Sequence, residues 1–397
     1  MTTQAALGVF VHGNGIKSLG MGGVSYSIAG ESMALAANPA HAATLGKRID
    51  LAVDSFAPQS NVRFEGNAAG PNERFRTDAK RAYMIPQGGF NLPLSEKLSF
   101  GVTLLSAGLG PDYPDSPYQR FGGASRVNIQ LSSTSVVSAL AYQLAPKLAV
   151  GFSANLGYQQ LRFQGLNFLG AISERPEKIS NQGKDGSASA GYSVGMLGEL
   201  TPQLRFGMAY RSKNWTGRHT DYSGLLPERG RLELPAIWGA GFTAKPLPRL
   251  EVALEYQRYE YANEPAFANR IGALDAGHLL GSPEGPGFGF KDHSVYKLGV
   301  QWQATPQLTL RGGYISASQV MRESENLFGI LGTLPTTTHY TAGASYKHGN
   351  WDITTYAYQA PEVDIRGRDS VPASFGGGEV NVSNRAIGIG IAVGRTF

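Results

Sequence analysis

Three groups of residues invite a chemical reading before any fold is considered. Gly13-Asn14-Gly15, followed by Lys17-Ser18, holds the parts of a phosphate cradle. A phosphate loop needs its Lys-Ser pair directly behind a glycine, and a dinucleotide fingerprint needs a third glycine in a string that follows a strand. Here Ile16 precedes Lys17, Ser18 stands where the third glycine belongs, and no strand pattern comes before the string. Nucleotide binding is set aside. The seven histidines fall singly, with no His-x-x-x-His or His-Glu pair, and the chain has no cysteine. That removes thiolate metal sites, disulfides and a cysteine nucleophile, so neither a metal nor a cofactor is expected. The third group is Arg205, Lys297 and Arg311, which share strand faces with small and polar residues. They could receive a carboxylate through charge-assisted bonds, or they could pair with Glu251 and Glu255; both readings stand.

The elements that must position these residues show a period of two. From about Arg48 onward apolar residues alternate with polar or small ones, as in strands with two unlike faces. Ile387, Ile389, Ile391, Val393 and Phe397 share one face, while Gly388, Gly390, Ala392, Gly394 and Thr396 share the other. Tyr296, Leu298, Val300 and Trp302 likewise oppose Lys297, Gly299 and Gln301. Leu204, Phe206, Met208 and Tyr210 oppose Arg205, Gly207 and Arg211. Charge on the second face fits a wet or ligand-lined interior better than a dry core.

The connections say more than the strands. Fourteen strands are predicted, near 49–66, 80–93, 97–108, 127–144, 147–163, 187–200, 203–217, 230–245, 249–262, 291–304, 307–320, 335–347, 350–360 and 380–397. Links after the even strands are tight, such as Ala145-Pro146, Thr201-Pro202, Thr305-Pro306 and His348-Gly349. Links after the odd strands, such as 109–126, 164–186, 263–290 and 361–379, are long and rich in Gly, Pro and charge. Loops sorted by parity put every short turn at one end, the asymmetry of an outer-membrane barrel with periplasmic turns and extracellular loops. Composition agrees: 52 Gly, 18 Tyr and 18 Phe stand against only 16% charged residues, and no apolar run approaches a spanning helix. Tyr142, Tyr158, Trp238, Tyr256, Tyr261, Trp302 and Trp351, at strand ends, are read as interface anchors. With a formal charge of +5 spread thinly and no basic block, nucleic acid is not an expected partner. Met1 to Gln4 show no charged and apolar leader, so the chain is expected to be a processed form.

Residues 1–46 stand outside the alternation and carry a resemblance. They run through Gly20-Met21-Gly22-Gly23, an Ala-rich piece and Asn38-Pro39-Ala40, just ahead of the first strand. Ser106-Ala107-Gly108-Leu109-Gly110 follows later, before an acidic, aromatic loop, and the chain ends on Phe397. In this order the segments resemble the FadL family of outer-membrane channels for long-chain fatty acids and aromatic hydrocarbons. The resemblance implies that 1–46 form a hatch inside a barrel of 47–397. It also implies that the third strand bends inward at Ser106 to Gly110 to open the wall. Glycine suits such a bend because it tolerates bulges and close approach, and Pro39 can keep the hatch from pairing with the wall. Asn38 is expected to bond to backbone freed by the bend. The family's outer capture groove, after strands five and seven, maps onto Leu166, Phe168, Leu169, Ile172, Leu225 and Leu226, which otherwise would pack on one another as a cap.

The resulting expectation is an all-β, 14-stranded antiparallel transmembrane barrel in the bacterial outer membrane, monomeric and without catalysis. Its partners would be a hydrophobic small molecule (a detergent would fit the same site) and the lipid and lipopolysaccharide around it. A barrel hydrolase would have no use for the N-terminal plug, and a general porin would lack it.

Overall fold

The computed structural model describes residues 9–77, 82–332 and 336–397. Residues 1–8 of the expected hatch, and the expected starts of strand two at 80 and strand twelve at 335, lie outside the described residues. Fourteen long strands follow one another round the wall. They are β1 (Arg48–Glu65), β2 (Tyr83–Pro93), β3 (Leu98–Leu109), β4 (Val127–Ala145), β5 (Leu148–Gln164), β6 (Asp185–Thr201) and β7 (Leu204–Arg211). Then come β8 (Ile237–Leu247), β9 (Leu250–Tyr259), β10 (His293–Gln303), β11 (Leu308–Ala317), β12 (Thr338–His348), β13 (Trp351–Ile365) and β14 (Glu379–Thr396). Each pairs antiparallel with its sequence neighbours, and β1 closes the cylinder by pairing with β14 from Arg48↔Thr396 to Glu65↔Glu379. Closure pairs the first strand with the last, so the sheet does not end in open edge strands.

The alternation sorts as lipid demands. Leu51 and Ile389 are each 66% exposed on the outer surface, whereas their neighbours Ala52 and Gly390 face the bore, and Tyr356 and Tyr358 on β13 are buried inside. Among the described residues no helix is long and apolar enough to cross a membrane; the strands do the crossing. Links after the even strands are two to four residues long, from 94–97 to 349–350, and every long loop follows an odd strand. Of the expected interface anchors, Trp302, Trp351 and Tyr158 are exposed, but Tyr261 is fully buried. It belongs to the loop that follows β9, which folds back over the barrel, and its hydroxyl accepts from Val9 N at 3.2 Å.

Several strand bounds move. β7 stops at Arg211 rather than 217, with Trp215–Thr216 pairing separately on β6, and β8 starts at Ile237 rather than 230. The intervening loop packs Tyr222, Leu225, Leu226 and Leu232 into an apolar cap, so apolar periodicity there reflects packing between loops. β13 passes Pro361 to reach Ile365, through a register shift between Ala360 and Val363, because a bulge accommodates a proline without a ladder donor.

The segment from Val9 to Ala43 is almost wholly buried against the inward face of the strands. It contains a single helical turn at Ile16–Leu19 and 3₁₀ turns at Ser32–Ala36 and Pro39–Ala43. Inward glycines make room for it. A Cβ on Gly299 would lie 2.5 Å from Met21 O, and one on Gly313 would collide with the Gly22 backbone. Gly22 and Gly23 turn the segment with φ of 69° and 71°, which only glycine adopts freely.

Candidate functional site

Among the described residues the wall's ladder is interrupted between β2 and β3. β2 and β3 pair from Pro93↔Ser99 to Gly89↔Thr103, and there the described ladder ends. Beyond it, β2 continues on β1 as far as Phe56↔Tyr83, and β3 continues on β4 as far as Leu109↔Leu131. The pairs that would extend the register, from Gly88 with Leu104 to Met84 with Gly108, are not made. Pro86 falls at the middle of that stretch, and proline has no N–H to give a ladder. The freed edge of β3 is met from inside the bore instead. Phe10 forms an isolated bridge with Ala107, and Gly108 N donates to Val9 O at 2.8 Å.

Behind this break lies a small cavity of roughly 30 Å3. Phe10, Val11 and His12 line it from the N-terminal segment, Leu105 and Ser106 from β3, and Ile237, Tyr259 and Arg211 from the opposite wall. The Arg211 guanidinium stacks over the Phe10 ring with 5.0 Å to its centroid, and no ion pair to it is found among the described residues. His12 is caged by aromatic rings: His339 stacks on it at 5.3 Å and Tyr358 meets it edge-on at 4.7 Å. Burial lowers the His12 pKa well below the ordinary imidazole range, so this wall of the cavity is neutral and Arg211 supplies its cationic end together with Lys297.

The three charged residues singled out in the sequence divide. Arg205 is bound to Glu251 at 2.6 Å. Lys297 donates to Gly23 O at 2.9 Å and meets Glu255 at 3.3 Å. Glu255 in turn accepts from Ser25 N at 2.7 Å and Tyr26 N at 2.8 Å, so this pair fastens the N-terminal segment to the wall. Arg311 donates to Gln301 at 2.9 Å and Ser345 at 2.6 Å. Arg211, which periodicity places on the inward face but which nothing in the sequence marks out, is the guanidinium left facing the cavity.

Asn38 corrects an expectation. Its amide donates to Tyr26 O at 2.9 Å and to Met196 O on β6 at 3.1 Å, while its oxygen caps Ala40 N at 3.0 Å. It makes these bonds against β6, not at the break in β3, because Gly151 and Gly195 leave space there for the Asn38-Pro39-Ala40 turn. Gly20 lies against Gly343 of β12 with its own Cβ position 3.1 Å from that Cα. Ala107 and Leu109 are buried and Gly110 follows at the end of β3, where its carbonyl accepts from the Tyr83 hydroxyl at 2.6 Å.

A second small cavity, of roughly 30 Å3, lies among the long loops. Leu169, Leu225 and Leu226 line it, with Leu280 and Phe288 from the loop after β9 and Phe328 from the loop after β11. Leu166 is buried beside it in the same apolar cluster, and Ile172 packs on that cluster. Phe168 turns away to stack with Tyr118 at 5.2 Å and Phe121 at 6.0 Å. No residue after β9 or β11 is among those expected from the sequence; for the loop after β11 the signal is Leu327-Phe328-Gly329-Ile330-Leu331, an apolar run inside a long polar loop.

Comparison with known proteins follows the same lines. The profile of a family described as outer membrane protein transport protein (OMPP1/FadL/TodX) matches residues 2–397. Among solved structures the chain is similar to the toluene transporter TodX of P. putida, at 18% identity over 97% of this chain and 99% of that one, with a TM-score of 0.72. A Pseudomonas aeruginosa FadL homologue is 14% identical over 98% and 100%, with a TM-score of 0.73. The Ralstonia pickettii toluene transporter TbuX is 19% identical over 97% and 99%, with a TM-score of 0.69. At such identities these likenesses speak to the fold. No curated protein matches the chain.

Proposed function

The chain belongs to the outer-membrane transport protein family OMPP1/FadL/TodX, and from that membership we propose that it carries small hydrophobic molecules through the outer membrane by sideways release. Cargo enters the loop cavity at Leu169, Leu225 and Leu226, moves to the cavity beside Phe10, and leaves through the break between β2 and β3. The residues from Val9 to Ala43 act as a hatch that closes the bore to water.

The observation that carries this reading is the interrupted β2–β3 ladder directly in front of an internal cavity. An apolar solute gains nothing from a water-filled pore, since each CH₂ exposed to water costs about 0.8 kcal/mol. Release into lipid avoids that cost. Phe10 stands in the way, and uncovering one such side chain costs roughly 1.5–3 kcal/mol. Thermal motion supplies that often enough for a passive gate, and cargo filling the vacated space offsets it. Arg211 adds a preference. A guanidinium with no carboxylate partner among the described residues, in a cavity lined by Phe10, Leu105 and Ile237 together with polar groups such as Ser106 and Gln257, favours an amphiphile with an anionic head over a neutral hydrocarbon.

The test is uptake by a channel-deficient strain expressing the chain, with a long-chain fatty acid and toluene compared. The wild type is expected to take up both, and Arg211→Gln to lose several-fold on the acid while keeping toluene. Equal loss on both would remove the anionic preference. Uptake no better than without the protein, or a steady large conductance in planar bilayers, would remove the reading itself.

A further inference from the structure

We infer that Tyr83 and Thr103 form the frame of the opening between β2 and β3 and fix the girth of cargo that passes it. This rests on the sideways-release reading above. The two strands part company over Met84–Gly88 on one side and Leu104–Gly108 on the other, where described backbone pairing is absent. Among the described residues, two side-chain bonds cross the break, one at each end. At the lower end Thr103 Oγ1 donates to Gly88 O at 3.0 Å, just where the last ladder pair stops. At the upper end Tyr83 Oη donates to Gly110 O at 2.6 Å. Continuing the register of Gly89↔Thr103 would place Tyr83 opposite Leu109, so the upper bond sits where the ladder would have resumed.

The geometry makes the bonds a frame rather than incidental contacts. Both donors are buried, Thr103 at 1% and Tyr83 at 4% exposure, so neither bond is diluted by water. The Tyr83 ring is held at 5.6 Å against Phe56, its ladder partner on β1, which fixes the direction of the hydroxyl. Between the bolts the opening runs five residues along β2, roughly 17 Å at the usual strand rise. Pro86 at its centre has no N–H with which to zip it shut. Its width depends on how far β3 can swing, and that swing is limited by the bond to Gly110.

The test uses the full chain in a channel-deficient strain and measures the uptake of a three-ring aromatic hydrocarbon relative to toluene. Tyr83→Phe keeps the ring on Phe56 and removes the upper bond; Thr103→Val removes the lower one. Each is expected to raise the three-ring-to-toluene ratio about fivefold, the population change that one net hydrogen bond produces, and Thr103→Ser is expected to restore the wild-type ratio. Heat-modifiable migration and protease resistance of the N-terminal segment show that barrel and hatch are intact in each variant. An unchanged ratio in intact Tyr83→Phe and Thr103→Val barrels overturns the inference while leaving transport standing. Failure of the wild type to take up toluene overturns it together with the reading beneath it.

Discussion

At Glu31 burial and charge pull in opposite directions. One carboxylate oxygen accepts from Lys17 N at 2.7 Å and Ser18 N at 3.3 Å, while the other is buried without a partner. Burial lifts the carboxyl from its ordinary 4.5 to about 7, against the downward pull of the Lys17 cation and with a further push from Asp50. The folded chain therefore holds this proton more tightly than the unfolded one. Its contribution to hatch stability is greatest below about 4.5 and declines as pH rises to 7, by at most ~1.4 kcal/mol per pH unit. His41, which burial holds near 4 instead of 6.5, acts with the opposite sign and weakens the packing as pH falls below 6.5. Comparing wild type with Glu31→Gln isolates the first effect. Protease resistance of the N-terminal segment is expected to fall from pH 5 to pH 8 in the wild type relative to the variant; a constant ratio would contradict it. Periodicity makes Glu31 neighbours invisible, and the same holds for the lumen cations. Arg205 and Arg211 lie on one inward face of β7, yet one meets Glu251 on β9 and the other does not, because pairing along the wall past an intervening strand depends on stagger that no single strand encodes.

Elements show a different balance of what is legible. Strand number, parity of loops and the outward apolar face follow from alternation alone, since lipid admits no other arrangement. The interruption beside β3 covers Leu104–Gly108 and overlaps the Ser106–Gly110 stretch to which the family resemblance points, while on β2 Pro86 and Gly88 mark the strand that lacks this neighbour. Loop limits fail at β7 and β8 because loops that pack on each other imitate strands. The inward glycines are a further element-scale device, and they give a sharp prediction. A side chain on Gly313 would strike the backbone of Met21 and Gly22, while one on Gly312 finds its nearest atom, Thr341 O, at 3.9 Å. Gly313→Val is expected to leave a heat-modifiable barrel whose hatch no longer seats, and so to raise ion conductance in planar bilayers from near silence. Gly312→Val is expected to stay silent. Silence from both would mean that the hatch tolerates displacement from β11.

At the scale of the whole molecule, a closed cylinder holds residues 9–43 in its bore and has an interrupted ladder between β2 and β3. Each part answers a cost that the membrane imposes. Closure satisfies the backbone in lipid, and in the proposed route the N-terminal segment would deny water a path while the break in the wall would spare an apolar solute from it. Membership of an outer-membrane transport family agrees with the design and leaves the exit route to be tested. The absence of cysteine makes the test clean. Cysteines placed at Met84 and Leu104, both exposed on the outer surface on either side of the break, can be bridged by a cleavable bifunctional thiol reagent that reacts nowhere else on the chain. Bridging is expected to abolish fatty-acid and toluene uptake, reagent on either single variant to leave it intact, and cleavage of the bridge to restore it. Uptake undiminished by a complete bridge would contradict release through the wall.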